Sequence, residues 1–219
     1  MFAQTDSTDI IVQNIMKQQK IVGLSLAVIK KGEVTVNKGY GLANVEFNVA
    51  ASNETVFRLG SVSKQFFTTA IMKLQEEGLL SINDSVHKFF PDAPETWRPI
   101  LVKNLMSHTS GLQRESPAYD NFKMTSDLDI IKAGYPLALD FNTGEKYQYC
   151  NLAYYMLAQI ITQVSGQHWS KYIEEKLFAP AGMNNSRITD FYSIIPNRAS
   201  GYIHQGNILL NATAMSAIR

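Results

Sequence analysis

"GSVSKQFFTTAIMKLQEEGLL", residues 60–80, is where the chain changes character. Phe67, Ala70, Ile71 and Leu74 recur at helical spacing and the pattern stops at Gly78, so a helix is predicted to begin just after Ser61. Upstream, "IVGLSLAVIKKGEVTVNKGYG" (21–41) is two β-rich runs around "KKGE" and predicts a hairpin, Gly23–Ile29 with Glu33–Tyr40. Ahead of it, Ile10, Ile11, Ile15 and Met16 fit a short amphipathic helix over 8–19. Downstream the pattern stays helical. "ILVKNLMSHTSGL" (100–112) reads as a short helix stopped at Gly111. "NLAYYMLAQIITQVSG" (151–166) reads as a strong amphipathic helix, and "HWSKYIEEKLFAPAGM" (168–183) as another, closed by Pro180 and Gly182. "GNILL" (206–210) is a candidate strand. Strands, a long helical stretch and a return to strand describe an α+β protein with a helical domain inserted into a sheet domain. The expected division is 1–60 for the N-terminal helix and hairpin, 61–200 for the helical domain, and 201–219 for an incomplete return toward the sheet.

Composition narrows the function. Twenty basic residues against 19 acidic leave a net charge of +1 with no basic stripe, which argues against a nucleic-acid partner. No run of 18 apolar residues occurs, so no membrane span is expected. Cys150 is the only cysteine, which rules out an internal disulfide. The four histidines, His87, His108, His168 and His204, lack metal-site spacing, and there is no Gly-rich phosphate loop. Neither metal nor organic cofactor is expected. "MFAQTDSTD" reads as the stub left by a small-residue cleavage site, so the expectation is an exported protein, periplasmic or extracellular.

Ser61 has two readings. A serine at a helix start caps it. Alternatively it is a nucleophile, with Lys64 on the same helix face at i+3. A lysine serves as the base only where burial or a neighbouring cation brings its pKa down from ~10.4. The helix N-terminus adds a backbone N–H and positive dipole suited to an oxyanion. The S-x-x-K pattern is the nucleophile motif of class A β-lactamases and penicillin-binding proteins. A second cluster lies in "GEKYQYCNLAYY" (144–155), where Tyr149 and Asn151 flank Cys150 before a helix. It is either an Asn cap with a packed tyrosine, or a proton relay beside an amide that binds a substrate carbonyl.

Taken in order, "GLSLAVIKKGEVTVNKGYG", "TVFRLGSVSKQF", "EEGLLSINDSVHKFFP", "LMSHTSGL", "FNTGEKYQYCN" and "LFAPAGM" resemble the serine β-lactamase-like family. Class C β-lactamases, D-Ala-D-Ala carboxypeptidases and related esterases belong to it. The resemblance implies a β-lactamase/transpeptidase-like fold and an acyl-enzyme hydrolase acting on a β-lactam, a D-Ala peptide or a small ester. It implies that Ser61 is the nucleophile, that Lys64 and Tyr149 share proton transfer, and that Asn151 binds the substrate's amide. Ser61 N–H would supply one oxyanion donor. His108 of "HTSGL" is read as structural. Two departures stand out. Cys150 replaces the usual Ser of Tyr-x-Asn, and is read as a small packed residue without a nucleophilic role. The family's third motif, Lys/His-Ser/Thr-Gly, is not found; "HQG" (204–206) comes too soon after Asn151 and sits in a turn-like stretch. The expectation is therefore an N-terminal portion of a longer protein, nearly inactive alone, with a C-terminal companion segment or a swapped copy as partner besides its small-molecule or peptide substrate. The rival reading is a non-catalytic peptidoglycan- or acyl-ligand-binding protein or sensor.

Overall fold

A computed structural model of the protein describes residues 7–120, 126–189 and 192–212. The chain divides into two compact units, the described residues of Met1–Arg58 with Tyr192–Thr213, and those of Leu59–Phe191.

The first unit opens with α1 (Ser7–Gln19), then β1 (Gly23–Lys30), β2 (Glu33–Asn44) and β3 (Val49–Ala50), an antiparallel sheet in the order β1-β2-β3. Lys31 and Gly32 both have positive φ, 51° and 84°. That is the signature of a type I′ turn, whose twist matches the strands it joins. β2 runs past the expected Tyr40 because its last residues change partner: Leu42 pairs with Ala50 and Asn44 with Val49. Gly39 faces a close backbone approach, where a Cβ would lie 2.3 Å from Ser52 Cα. α1 buries none of its residues. A separate hairpin, β4 (Tyr202–Gln205) with β5 (Ile208–Asn211), turns at Gly206–Asn207. His204 and Gln205 of "HQG" thus belong to a strand and only Gly206 to the turn. Residues 192–200, expected with the helical domain, fall in the sheet unit instead. Val56 N–H donates to Asn197 O, Ala199 N–H to Val56 O, and Ser200 N–H to Ala43 O. Among the described residues of this unit only Ala43, Ala51 and Ile195 are buried.

The second unit holds the core. A 3₁₀ turn, Gly60–Ser63, leads directly into α2 (Lys64–Glu76). α3 (Val102–Met106), α4 (Asp127–Ala133), α5 (Leu152–Ser165) and α6 (Trp169–Ile173) follow, and a π turn, Glu174–Phe178, extends α6. The sequence predicts an amphipathic α5. The structure buries Leu152 to Ala158, Ile160 and Ile161, so α5 is apolar nearly all round. Such a helix belongs at the centre, and α5 packs against α2, α3, α4 and α6. Each fully buried Leu, Ile or Met side chain is worth about 1.5–3 kcal/mol. Phe67 of α2 is wedged between Trp169, with ring centroids 5.0 Å apart, and Tyr154, at 6.2 Å. α3 stops at Met106, not Gly111, because the chain enters the left-handed region at His108, φ 58°. Among the described residues no helix is long and apolar enough to cross a membrane.

Candidate active site

Ser61 lies in the 3₁₀ turn, and neither that turn nor α2 has a side-chain cap. The capping reading of Ser61 therefore falls away, and its hydroxyl has other partners. Lys64, the first residue of α2, is only 5% exposed, and its Nζ donates to Ser61 Oγ at 3.3 Å. The same Nζ sits 4.9 Å from the Tyr149 ring centroid and 5.3 Å from that of Tyr154. These π faces offset part of the cost of removing an ammonium from water. Tyr149 OH donates to Ser61 Oγ at 2.6 Å. Ser61 thus receives hydrogen bonds from a cation three residues on and from a phenol 88 residues on.

Two stretches run side by side to deliver Tyr149. Gly144 N–H donates to Thr109 O, Asp140 N–H to Gly111 O and Asn151 N–H to Arg114 O, each at 2.8 Å. Gly111 has φ 84°, and a Cβ there would lie 2.2 Å from Phe141 O, so only glycine lets the stretches meet. His108 bonds to this neighbour twice: Gln148 N–H donates to its carbonyl at 2.9 Å and Cys150 N–H to its Nδ1 at 3.1 Å. Its ring is 4.6 Å from that of Tyr149 and 5.1 Å from that of Tyr154, with Tyr147 edge-on at 5.8 Å. Burial, reinforced by the Lys64 charge, pushes the imidazole pKa below its ordinary value.

Cys150 is fully buried. Its Sγ donates to Gln113 O at 3.2 Å and accepts Ala153 N–H at 3.3 Å. The second bond satisfies an early N–H of α5 that has no acceptor within the helix. Burial pushes the thiol pKa up to about 12. The thiol is therefore a packed cap and not a nucleophile.

Asn151 is 3% exposed, precedes α5 and makes no side-chain cap bond. Its Nδ2 donates to Glu115 Oε1 at 2.6 Å, and its buried Oδ1 has no hydrogen-bond partner among the described residues. Sequence reasoning singled out neither Glu115, the partner of Asn151, nor Arg114, whose guanidinium carbon is 5.2 Å from the Tyr149 ring centroid. The available signal was their position directly after "HTSGLQ". Among the described residues, no group of three or more His, Cys, Asp or Glu could hold a metal ion.

The Beta-lactamase family description matches residues 9–217. The chain belongs to the Beta-lactamase family. Protein flp of Staphylococcus aureus (strain COL) is 31% identical over 205 residues, covering 91% of this chain and 41% of that protein. Among solved structures, the octameric penicillin-binding protein homologue from Pyrococcus abyssi superimposes with a TM-score of 0.77 at 30% identity, covering 94% of this chain and 49% of that one. A class C beta lactamase gives a TM-score of 0.81 at 27% identity, covering 95% of this chain and 57% of that one. The fold is accordingly α+β of the β-lactamase/transpeptidase type. The chain spans about half the length of the Beta-lactamase family relatives it matches.

Proposed function

We propose that the chain carries the acylating site of a serine hydrolase acting on an amide or ester: a β-lactam, a D-Ala peptide or a small ester. One observation carries this reading. Ser61 Oγ is within hydrogen-bond reach of both Lys64 Nζ and Tyr149 OH. A serine hydroxyl is a weak nucleophile until a base is within reach. For the attack Tyr149 first gives its own proton to solvent and the hydroxyl bond reverses, with Ser61 donating and the Tyr149 phenolate accepting. The Lys64 ammonium offsets the phenolate charge at close range. Ser61 Oγ bonds to the carbonyl carbon, and the oxyanion meets Ser61 N–H in the first turn of the helical segment. The proton held by Tyr149 and Lys64 then goes to the leaving nitrogen or oxygen as that bond breaks. Water, deprotonated by the same pair, cleaves the ester and restores Ser61. Asn151, whose Nδ2 is hydrogen-bonded to Glu115, binds the substrate's amide.

The test is intact-mass analysis after exposure to a panel of β-lactams and activated esters. The expected result is one covalent adduct, mapped to Ser61 and absent in Ser61→Ala. Equal labelling of the Ser61→Ala variant would overturn the reading. Saturable binding with no adduct from any panel member would favour a ligand-binding protein.

A further inference from the structure

We infer that His108 is a positioning residue: it fixes the backbone on both sides of Tyr149 and one face of its ring, and so aims the Tyr149 hydroxyl at Ser61. The inference rests on the role proposed for Tyr149. His108 O accepts from Gln148 N–H at 2.9 Å, and His108 Nδ1 accepts from Cys150 N–H at 3.1 Å. Tyr149 is the one residue between these two anchors, so its φ and ψ are pinned at both ends. The imidazole also packs on the Tyr149 ring, with a centroid distance of 4.6 Å and an interplanar angle of 36°. The Tyr154 ring, 5.1 Å from the imidazole, is itself held in place, because Tyr154 OH donates to Met106 O at 3.0 Å. His108 has φ 58°, an uncommon conformation for a residue with a side chain. A turn needing only that backbone would take Gly or Asn. Here the ring itself accepts one of the two bonds.

The arrangement prescribes a tautomer. Cys150 N–H is a donor, so Nδ1 must offer its lone pair and the ring proton sits on Nε2. Protonating the imidazole would put the ring's second hydrogen on Nδ1, facing Cys150 N–H, and the bond would be lost. The groups facing the ring are the Lys64 ammonium from α2, Tyr154 from α5, and Tyr147, Tyr149 and Cys150 from the adjoining stretch. Burial and the Lys64 charge both favour the neutral ring, which keeps the clamp closed at neutral pH. As pH falls through the lowered pKa the clamp opens, and Tyr149 loses one anchor.

The experiment measures the single-turnover rate of Ser61 acylation by an activated ester from pH 4.5 to 8, in wild type, His108→Asn and His108→Phe. Asn tolerates the left-handed backbone, offers an acceptor oxygen and does not titrate. Phe keeps a ring and removes the acceptor. His108→Phe is expected to acylate on the order of 10²-fold more slowly at every pH, as for a misplaced catalytic group. His108→Asn should stay within about tenfold of wild type at pH 8, the size of a modest positioning loss, and lose the acid limb that His108 contributes. Wild-type rates in a folded His108→Phe, or an unchanged acid limb in His108→Asn, would overturn the inference. If His108→Phe does not fold, imidazole ¹⁵N resonances of the wild-type protein decide the matter. The expected ring is neutral with its proton on Nε2, and its titration should move the Tyr149 ring resonances. A proton on Nδ1, or Tyr149 resonances indifferent to that titration, would refute the clamp. The NMR arm does not depend on turnover. Absence of Ser61 acylation in wild type would count against the proposed hydrolase, while the spectrum would still judge His108.

Discussion

Cys150 should be almost inert to thiol reagents in the native protein, and the size of the effect follows from its surroundings. At pH 8 an ordinary thiol with a pKa of ~8.5 is about a quarter thiolate. With the pKa pushed up to about 12, the thiolate fraction falls to the order of 10⁻⁴, roughly 2,000-fold lower. The sulfur is also buried, so reagent must wait for the segment to open. Iodoacetamide labelling of the native chain at pH 8 is therefore expected to run at least ~10³-fold more slowly than in denaturant. The rate should rise with urea in proportion to the surface exposed on opening. Two variants separate chemistry from packing. Cys150→Ser keeps a donor for Gln113 O and an acceptor for Ala153 N–H, and should cost no more than about 1.5 kcal/mol. Cys150→Val removes both, orphaning two polar groups at about 1–3 kcal/mol each. Native labelling within about tenfold of the unfolded rate would refute the burial argument. Loss of Ser61 acylation in a stably folded Cys150→Ser would refute the purely structural role of the thiol.

Tyr149→Phe removes the 2.6 Å bond to Ser61 while leaving the ring stacked on His108. Acylation should fall ~10²–10⁴-fold with the melting temperature little changed, as rapid-quench kinetics and calorimetry will show. Gly111→Ala would force a left-handed alanine against Phe141 O. The expected loss is about 2–5 kcal/mol in chemical denaturation, the sum of the backbone and overpacking costs. Trp97→Phe should cost only about 0–2 kcal/mol, well below the ~3–5 kcal/mol of truncating a buried Trp to Ala. The indole N–H it removes is buried without an acceptor among the described residues, and keeping it is itself costly. A urea midpoint shift as large as that of Trp97→Ala would count against this reasoning.

What the sequence displayed was governed by local periodicity and turn chemistry. "KKGE" encodes a left-handed pair of turn residues, and the hairpin follows from it. The apolar periodicity from Leu152 marked a helix, but reading it as amphipathic understated its burial, since Leu152 to Ala158 are all buried. Ser61 and Lys64 sit three residues apart, so their meeting was readable from spacing alone. The end of α3 was not, because a histidine, and not the glycine, enters the left-handed region first. The π turn after α6 leaves no mark on the apolar pattern. Glu115 and Arg114 escaped notice because their place at the site depends on Arg114 O accepting Asn151 N–H, a bond across 37 residues. No local pattern records such a pairing. Asn151 was singled out, yet its bond to a carboxylate was not foreseen. Whether an amide offers its donor to substrate or spends it within the protein depends on that distant neighbour.

The uneven distribution of the core decides which spectroscopic probes report on which part of the molecule. Nearly all the buried apolar side chains lie between Leu59 and Phe191, and both tryptophans, Trp97 and Trp169, are among them. A tryptophan-fluorescence melt therefore follows the helical unit and is blind to the sheet. The sheet's ladder amides, backed by few buried groups, belong to the low end of the opening free-energy scale, and those of α5 to the high end. Hydrogen exchange read residue by residue should resolve two populations of amides in one chain. Far-ultraviolet dichroism should lose its strand signal before the tryptophan signal moves, so the two probes will not superimpose and a single-transition fit will fail.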